Sequence, residues 1–408
     1  GTGRQMDEES NRTTEEGWHP STNLVATAQC SDQGESYSPL DVPPSCSCCN
    51  NWNWLHISYL SIFSTFGVTI RAFMGRFFGG DCDAVAPIDD WLYPLSHKIC
   101  ITASGLTEQY GGALFTDLPA NMFGSFIMGL MTGHSSEWPA IPWLRHDHPL
   151  QIEDGLHVGL KTALCGTITT FSSWNSQMVL MMDGSANVYI GSHVGAAIFG
   201  YIIGLQASVV SYRTGRTFAS WFHLKNNQHI FGSVEGRGHD SDVSTEAKST
   251  LKGRHFFNAR VLPSFLVAVT FTLYVLGDFY WHIQYYRQLW LACLVAPFGT
   301  LLRWKLSTLN GKLKRNNMQW FPTGTFSANF IASIISAAIN ATLIRSPYVD
   351  SLWALNTVKS FSLGFAGSLS TVSTFVKEIV EMGDKNPQFD KKAFLYSHGT
   401  MLSCCCIG

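Results

Sequence analysis

The chain has 408 residues, of which 46% are apolar and 14% charged, with a formal net charge of −2. Soluble domains carry roughly 25% charged residues, so this composition argues against an ordinary soluble fold. The near-neutral balance offers no long-range attraction to nucleic acid, and no nucleic-acid partner is expected.

Residues 1–50 are rich in Ser, Glu and Pro, show no periodicity, and read as a disordered tail. They lack the basic start and early apolar run of a signal peptide. Beyond them lie candidate spans at 54–77, 111–133, 157–181, 188–212, 261–282, 288–309, 320–344, 357–378 and 392–408. Five windows carry no Asp, Glu, Lys or Arg: 162–182, 184–212, 261–277, 316–344 and 360–376. A membrane-crossing helix needs about 20 such residues. The expected fold is therefore all-α and integral to a membrane, with about nine transmembrane helices.

The loops between the spans differ in charge. The segment 213–260 carries eight Lys/Arg, and further basic residues follow at Lys312, Lys314, Arg315, Lys385, Lys391 and Lys392. The segment 78–110 is acidic, with Asp81, Asp83, Asp89, Asp90 and Glu108 against Lys98. The positive-inside rule puts the basic segments, and with them the N-terminus, in the cytoplasm.

Spans one to four resemble spans six to nine. "FGVTIRAFM" (66–74) parallels "FGTLLRWKL" (298–306), and "GALFTDLPANMFGS" (112–125) parallels "GTFSANFIAS" (324–333). "CGTITTFSSW" (165–174) parallels "AGSLSTVSTF" (366–375). An odd span between two four-span units inverts the second unit, and transporter-like sites then fall at the repeat interface near mid-membrane. The expected organisation is a first repeat at 51–212, a basic cytoplasmic loop at 213–260, a linker helix at 261–287 and a second repeat at 288–408.

The third pair of motifs reads as a helix break. Bare backbone costs several kcal/mol per unsatisfied group in hydrocarbon unless it is buried or lines a polar cavity. Gly166 permits an unwound turn, and Thr169, Thr170, Ser172 and Ser173 can satisfy freed backbone groups; plain helix packing by small residues is the competing explanation. Asn121 and Asn329 hold equivalent positions, where an amide can bond a neighbouring helix or an anion. Arg71 and Arg303 are intramembrane charges, functional unless they snorkel or are structurally paired. Phe171 and Phe375 either pack or turn their positive ring edges toward an anion. His193 and His398 read as structural, hydrogen-bonded histidines, with a proton relay as the competing explanation. The cysteine clusters 46–49 and 404–406 lack zinc-ligand spacing and read as free or lipidated thiols. No P-loop, HExxH or nucleophile elbow is present, and no enzymatic activity is expected.

At these residues the chain resembles the CrcB/Fluc fluoride channel family, in the fused two-domain form of its eukaryotic exporters. The likeness rests on Gly67 to Arg71 and Gly299 to Arg303, on Asn121-Met-Phe-Gly124-Ser125, and on the Gly-x-x-Thr-Thr-Phe-like third-span motif in both halves. It implies a passive fluoride-selective channel in the plasma membrane, working as a monomeric pseudo-dimer in the lipid bilayer. It also implies a central Na+ on backbone carbonyls, carried over to Gly166, Thr169, Gly367 and Ser370. The fluoride pathway then involves Phe171, Phe375, Asn121, Asn329, Thr170, Thr374, Tyr396 and Thr400, with Arg71 and Arg303; Tyr189 would match Tyr396. In the family each pore takes its first phenylalanine from one repeat and its second from the other. Phe171 and Phe375 would complete one pore, leaving Val372 and Trp174 in the other. A proton- or sodium-coupled transporter of a small anion is the alternative, since inverted repeats and broken helices fit it equally.

Overall fold

The computed structural model describes residues 54–78, 101–102, 114–133, 141–144, 149–151, 153–183, 190–234, 265, 267–277, 284–312, 315–345, 352–385 and 390–407. The N-terminal tail, most of the acidic segment 78–110, residues 235–260 and Tyr189 lie outside these.

Among the described residues the architecture is helical throughout. Helix α1 spans Trp54–Phe78 and α2 spans Leu118–Thr132. Helix α3 starts at Asp154–Val158, widens to π over Gly159–Cys165, and closes with Gly166–Ile168. After a short extended gap, α4 covers Phe171–Asp183, and α5 covers Ile190–Val234. A shorter apolar helix, α6, covers Val267–Gly277 in the expected linker. The second half repeats the plan with α7 (Gln284–Ser307) and α8 (Thr323–Arg345). Helix α9 runs through Leu352–Phe361, π-helical Ser362–Ala366 and Gly367–Leu369; α10 (Ser373–Lys385) and α11 (Asp390–Cys405) complete it.

Among the described residues, four helical stretches are long and apolar enough to cross a membrane: Trp54–Phe78, Ser192–His223, Tyr286–Ser307 and Thr323–Leu343. The third and eighth expected spans do not read as single helices because each is interrupted in the middle. One boundary differs outright. Helix α5 does not stop at 212 but continues 22 residues to Val234, so the first part of the expected loop is helical. Its apolar stripe, with Val210, Phe218 and Trp221 exposed, carries on past Arg213, and the stretch holds no proline. Charge marks where a helix leaves hydrocarbon, not where it ends.

The packing is reciprocal between halves. Helix α1 lies along α7; α4 packs on α8, and α10 packs on α2. Helices α2 and α5 approach to backbone contact, since a Cβ on Gly129 would meet the Tyr212 carbonyl and one on Gly215 the Phe126 carbonyl. Small residues permit this closeness where no water drives association.

Candidate functional site

The two interruptions meet at the centre of the bundle. Thr169 (φ −88°, ψ 146°) and Ser370 (φ −80°, ψ 160°) are extended and fully buried. Each is preceded by a π turn, a form that recurs at functional sites. An extended residue inside a membrane leaves the next helix without partners for its first N–H groups.

Those groups are satisfied across the repeats. Ser370 Oγ accepts from the Phe171 and Ser172 amides, each at 3.1 Å, and so caps α4. Thr169 Oγ1 accepts from the Val372 and Ser373 amides at 3.2 and 3.1 Å, and so caps α10. Each break thus supplies the N-cap of the other repeat's helix. The expected asparagines hold the residues that follow. Asn121 Oδ1 accepts from the Thr170 amide at 2.8 Å and its Nδ2 donates to the Thr170 carbonyl at 3.2 Å. Asn329 treats Thr371 the same way, at 2.7 and 3.1 Å. Thr170 Oγ1 also lies 3.1 Å from Ser370 Oγ.

Arg71 and Arg303 do not snorkel. They are 1% and 3% exposed and reach into both breaks. Arg71 donates to the Thr167 and Gly367 carbonyls, both at 2.9 Å, and to the Leu363 carbonyl. Arg303 donates to the Gly166 and Ser370 carbonyls at 2.8 Å and to the Thr162 carbonyl at 2.6 Å. The pattern explains both motif glycines: a Cβ on Gly166 would strike the Arg303 guanidinium, and one on Gly367 that of Arg71. A buried charge held by several carbonyls is stabilised by charge-assisted hydrogen bonds.

Phe171 and Phe375 come together edge to face, with centroids 5.6 Å apart and planes at 74°. Tyr396 closes on Phe375 in the same manner at 5.1 Å. Trp174 instead fills its surroundings. It stacks on Phe115 at 5.3 Å, meets Phe171 edgewise at 5.5 Å, and would touch a Cβ at Gly204. Val372 is likewise fully buried.

Sequence reasoning missed one residue here. Tyr396 donates to Glu378 Oε2 at 2.7 Å, while Glu378 Oε1 accepts from Thr325 at 2.6 Å and Asn310 at 3.1 Å. This carboxylate sits one helical turn beyond Phe375. The same offset of 201 that relates Phe375 to Trp174 relates Glu378 to Gln177, which bonds the Thr116 amide at 2.9 Å. That offset was the available signal; Glu378 escaped notice because it lies just past Lys377, which ends a charge-free window. Thr400 donates to the Tyr396 carbonyl at 2.7 Å within α11. The Thr374 amide lies 3.4 Å from Thr371 Oγ1. His398 is structural as expected, stacked on Phe394 and bonded to its carbonyl at 3.0 Å, whereas buried His193 Nε2 has no partner among the described residues. Cys404, Cys405 and Cys406 are free thiols.

Two interrupted helices, locked together inside a bundle of apolar spans, define an integral membrane protein of the kind that handles ions within the bilayer. The chain belongs to the CrcB-like family (CrcB-like protein, Camphor Resistance), which matches it twice, over residues 58–205 and 290–408. It is 28% identical over 305 residues to Fluoride export protein 1 of Candida albicans, covering 72% of this chain and 70% of that protein. It is 25% identical over 301 residues to Fluoride export protein 2 of Saccharomyces cerevisiae, covering 64% and 76%. The Fluoride-specific ion channel FluC of Escherichia coli is 33% identical over 93 residues, 23% of this chain and 68% of that protein. No solved structure matches the chain.

Proposed function

We propose that this protein is a passive fluoride-selective channel that exports fluoride from the cytoplasm across the plasma membrane. The observation that carries the reading is the pair of cross-capped breaks, in a chain that the CrcB-like family matches once in each half and whose relatives are named for fluoride export. No catalytic step is needed: the site's hydroxyls, amides and ring edges can replace an anion's hydration shell. The two four-helix repeats are inverted about the linker helix, giving nine spans and a monomer built as a pseudo-dimer. The reciprocal Arg71 and Arg303 contacts support that symmetry.

Fluoride passes through one pore, beside Phe171, Phe375, Tyr396 and Thr400. The other pore is vestigial, closed by Trp174 and lacking a ring at Val372. The buried carboxylate network of Glu378 beside Phe375, with only Gln177 at the corresponding place, favours this assignment.

Na+ between the breaks fits the donor chemistry. Carbonyl oxygens of Gly166, Thr169, Gly367 and Ser370 are hard ligands, and those already bonded to arginine keep a second lone pair. A bound Na+ would supply positive charge to converging carbonyl dipoles; Arg71 and Arg303 do the same from either side.

The test is fluoride efflux from liposomes holding the purified protein. A channel dissipates a fluoride gradient at a rate set by membrane potential. Uphill fluoride movement driven by a proton or sodium gradient would establish the coupled-transporter reading instead, and absence of flux would remove both.

A further inference from the structure

The turn that follows α7 is tied to the start of α8. Beyond Ser307 the chain reaches Asn310 and then Gly311, whose φ of 73° lies in the left-handed region that glycine tolerates. Thr323 donates to the Leu309 carbonyl at 2.9 Å, and a Cβ on Gly324 would strike the Leu306 carbonyl. Asn310 Oδ1 accepts from the Gly324 and Thr325 amides at 2.7 and 3.3 Å, and so caps α8 from outside that helix. Only the amide oxygen can accept from those N–H groups, so Nδ2 is the atom that faces Glu378 Oε1, to which it donates at 3.1 Å. We infer that Asn310 is a positioning residue for fluoride passage: it holds the Glu378 carboxylate, and through it the Tyr396 hydroxyl, beside the phenylalanine pair.

The donor count is the first argument. Asn310, Thr325 and Tyr396 all donate to Glu378, the last two at 2.6 and 2.7 Å. A buried carboxylate short of donors is costly, and its unscreened charge repels an anion passing nearby. Without Asn310, Oε1 keeps only the Thr325 hydroxyl. That hydroxyl itself accepts from Asn310 Nδ2 at 3.3 Å, so one amide orders both contacts.

Asymmetry is the second. The register of the first-span motifs sets Phe78 opposite Asn310, that of the second-span motifs sets Asp117 opposite Thr325, and that of the third sets Gln177 opposite Glu378. All three members change together. Phenylalanine has no donor to give, and the acid of the first repeat sits on α2, where Gln177 Nε2 lies 3.5 Å from Asp117 Oδ2. The link from turn to carboxylate therefore belongs to the repeat that supplies Phe375 and Tyr396. The role rests on the one-pore reading of the proposed function and adds to it a residue outside the pore wall.

The test is fluoride efflux from liposomes holding the full chain or one of three variants: Asn310→Asp, Glu378→Gln, and both together. Asn310→Asp keeps an oxygen for the α8 amides but sets an acceptor where Glu378 needs a donor, and efflux should fall about tenfold or more. In the double variant the introduced amide can donate to the introduced carboxylate while its oxygen still accepts from Tyr396, so efflux should recover at least about threefold over Asn310→Asp alone. A residue that merely caps α8 would show no such recovery. If Asn310→Asp does not fold, Asn310→Ala takes its place in the same cycle, and its loss of efflux should be smaller beside Glu378→Gln than in the parent. Unchanged efflux in Asn310→Asp, a double variant no faster than Asn310→Asp, or an equal loss from Asn310→Ala in both backgrounds overturns the role while the fluoride reading stands. Absence of efflux from the parent chain overturns the fluoride reading and the role with it.

Discussion

Phe171 and Val372 occupy the same register position in the two repeats, 201 residues apart, and so do Trp174 and Phe375. Only the Phe171–Phe375 pair sets ring edge against ring face across the repeats, with a tyrosine at hand. Isoleucine fills similar volume but has no quadrupole. Phe171→Ile and Phe375→Ile should each abolish fluoride efflux from liposomes, whereas Val372→Ile and Trp174→Phe should leave most of it. Comparable losses from Phe171→Ile and Val372→Ile would remove the one-pore reading. Glu378 acts through Tyr396, as a positioning residue, by holding its hydroxyl at 2.7 Å. Leaving the buried Tyr396 hydroxyl without its partner costs about 1–3 kcal/mol, so Glu378→Ala should slow flux by roughly tenfold or more. Gln177→Ala should slow it far less, and Tyr396→Phe should show a loss that does not add to that of Glu378→Ala. The two phenylalanines were legible in the sequence because both motifs align without a gap, and their pairing across the repeats was what the family resemblance implied. The partner carboxylate was not, because what distinguishes it is a contact with α11 rather than any local pattern.

At the scale of elements, the breaks were legible as Gly and hydroxyl clusters in apolar windows, and their satisfaction by one another was not. The sequence shows only that Thr169 and its neighbours can satisfy freed backbone groups; the structure sends Ser370 and Thr169 to the opposite helix starts. Removing such a cap costs about 0.5–2 kcal/mol. Ser370→Ala and Thr169→Ala should each lower thermal stability, the former with less recovery by Cys than by Thr. The intramembrane arginines follow the same logic: three carbonyls per guanidinium demand a planar fork, so Arg303→Lys should destabilise more than a surface Arg→Lys change. Gly67 belongs to this lock as well, because a Cβ there would strike Thr167 Oγ1 and come within 3.0 Å of the Leu164 carbonyl. Overpacking of that kind costs about 1–3 kcal/mol, and Gly67→Ala should show it as a lower melting temperature. If Na+ joins the arginines at these carbonyls, exchanging Na+ for a bulky organic cation during purification should also lower the melting temperature. An unchanged value would remove the ion from the site.

For the whole molecule, the duplication and the membrane class were legible because charge-free windows and motif order survive without coordinates. The end of α5 was not, since Arg213 ends a window while the helix goes on to Val234. Orientation rests on a separate argument. Residues 213–260 carry eight Lys/Arg and 78–110 carry one Lys against five acidic residues. Lys and Arg near span ends resist translocation, so the proposed orientation keeps the basic side in the cytoplasm. On the proposed nine-span plan an odd linker inverts the second repeat, which would bring Lys312 to Arg315 and Lys385 to Lys392 to that same side. The proposed inversion would matter for export, because it would place the two breaks back to back at one depth rather than stacked toward one face. A cysteine placed at Asp89 in an otherwise cysteine-free chain should react with an impermeant maleimide in intact cells. One at Ser241 should react only after permeabilisation, and so should one at Lys314. Labelling of Asp89 and Ser241 in the reverse order would overturn the orientation but keep the inversion. Labelling of the Ser241 and Lys314 positions from opposite sides would overturn the inversion itself, since an odd number of spans would then lie between them, the linker would not cross, and the two repeats would be parallel.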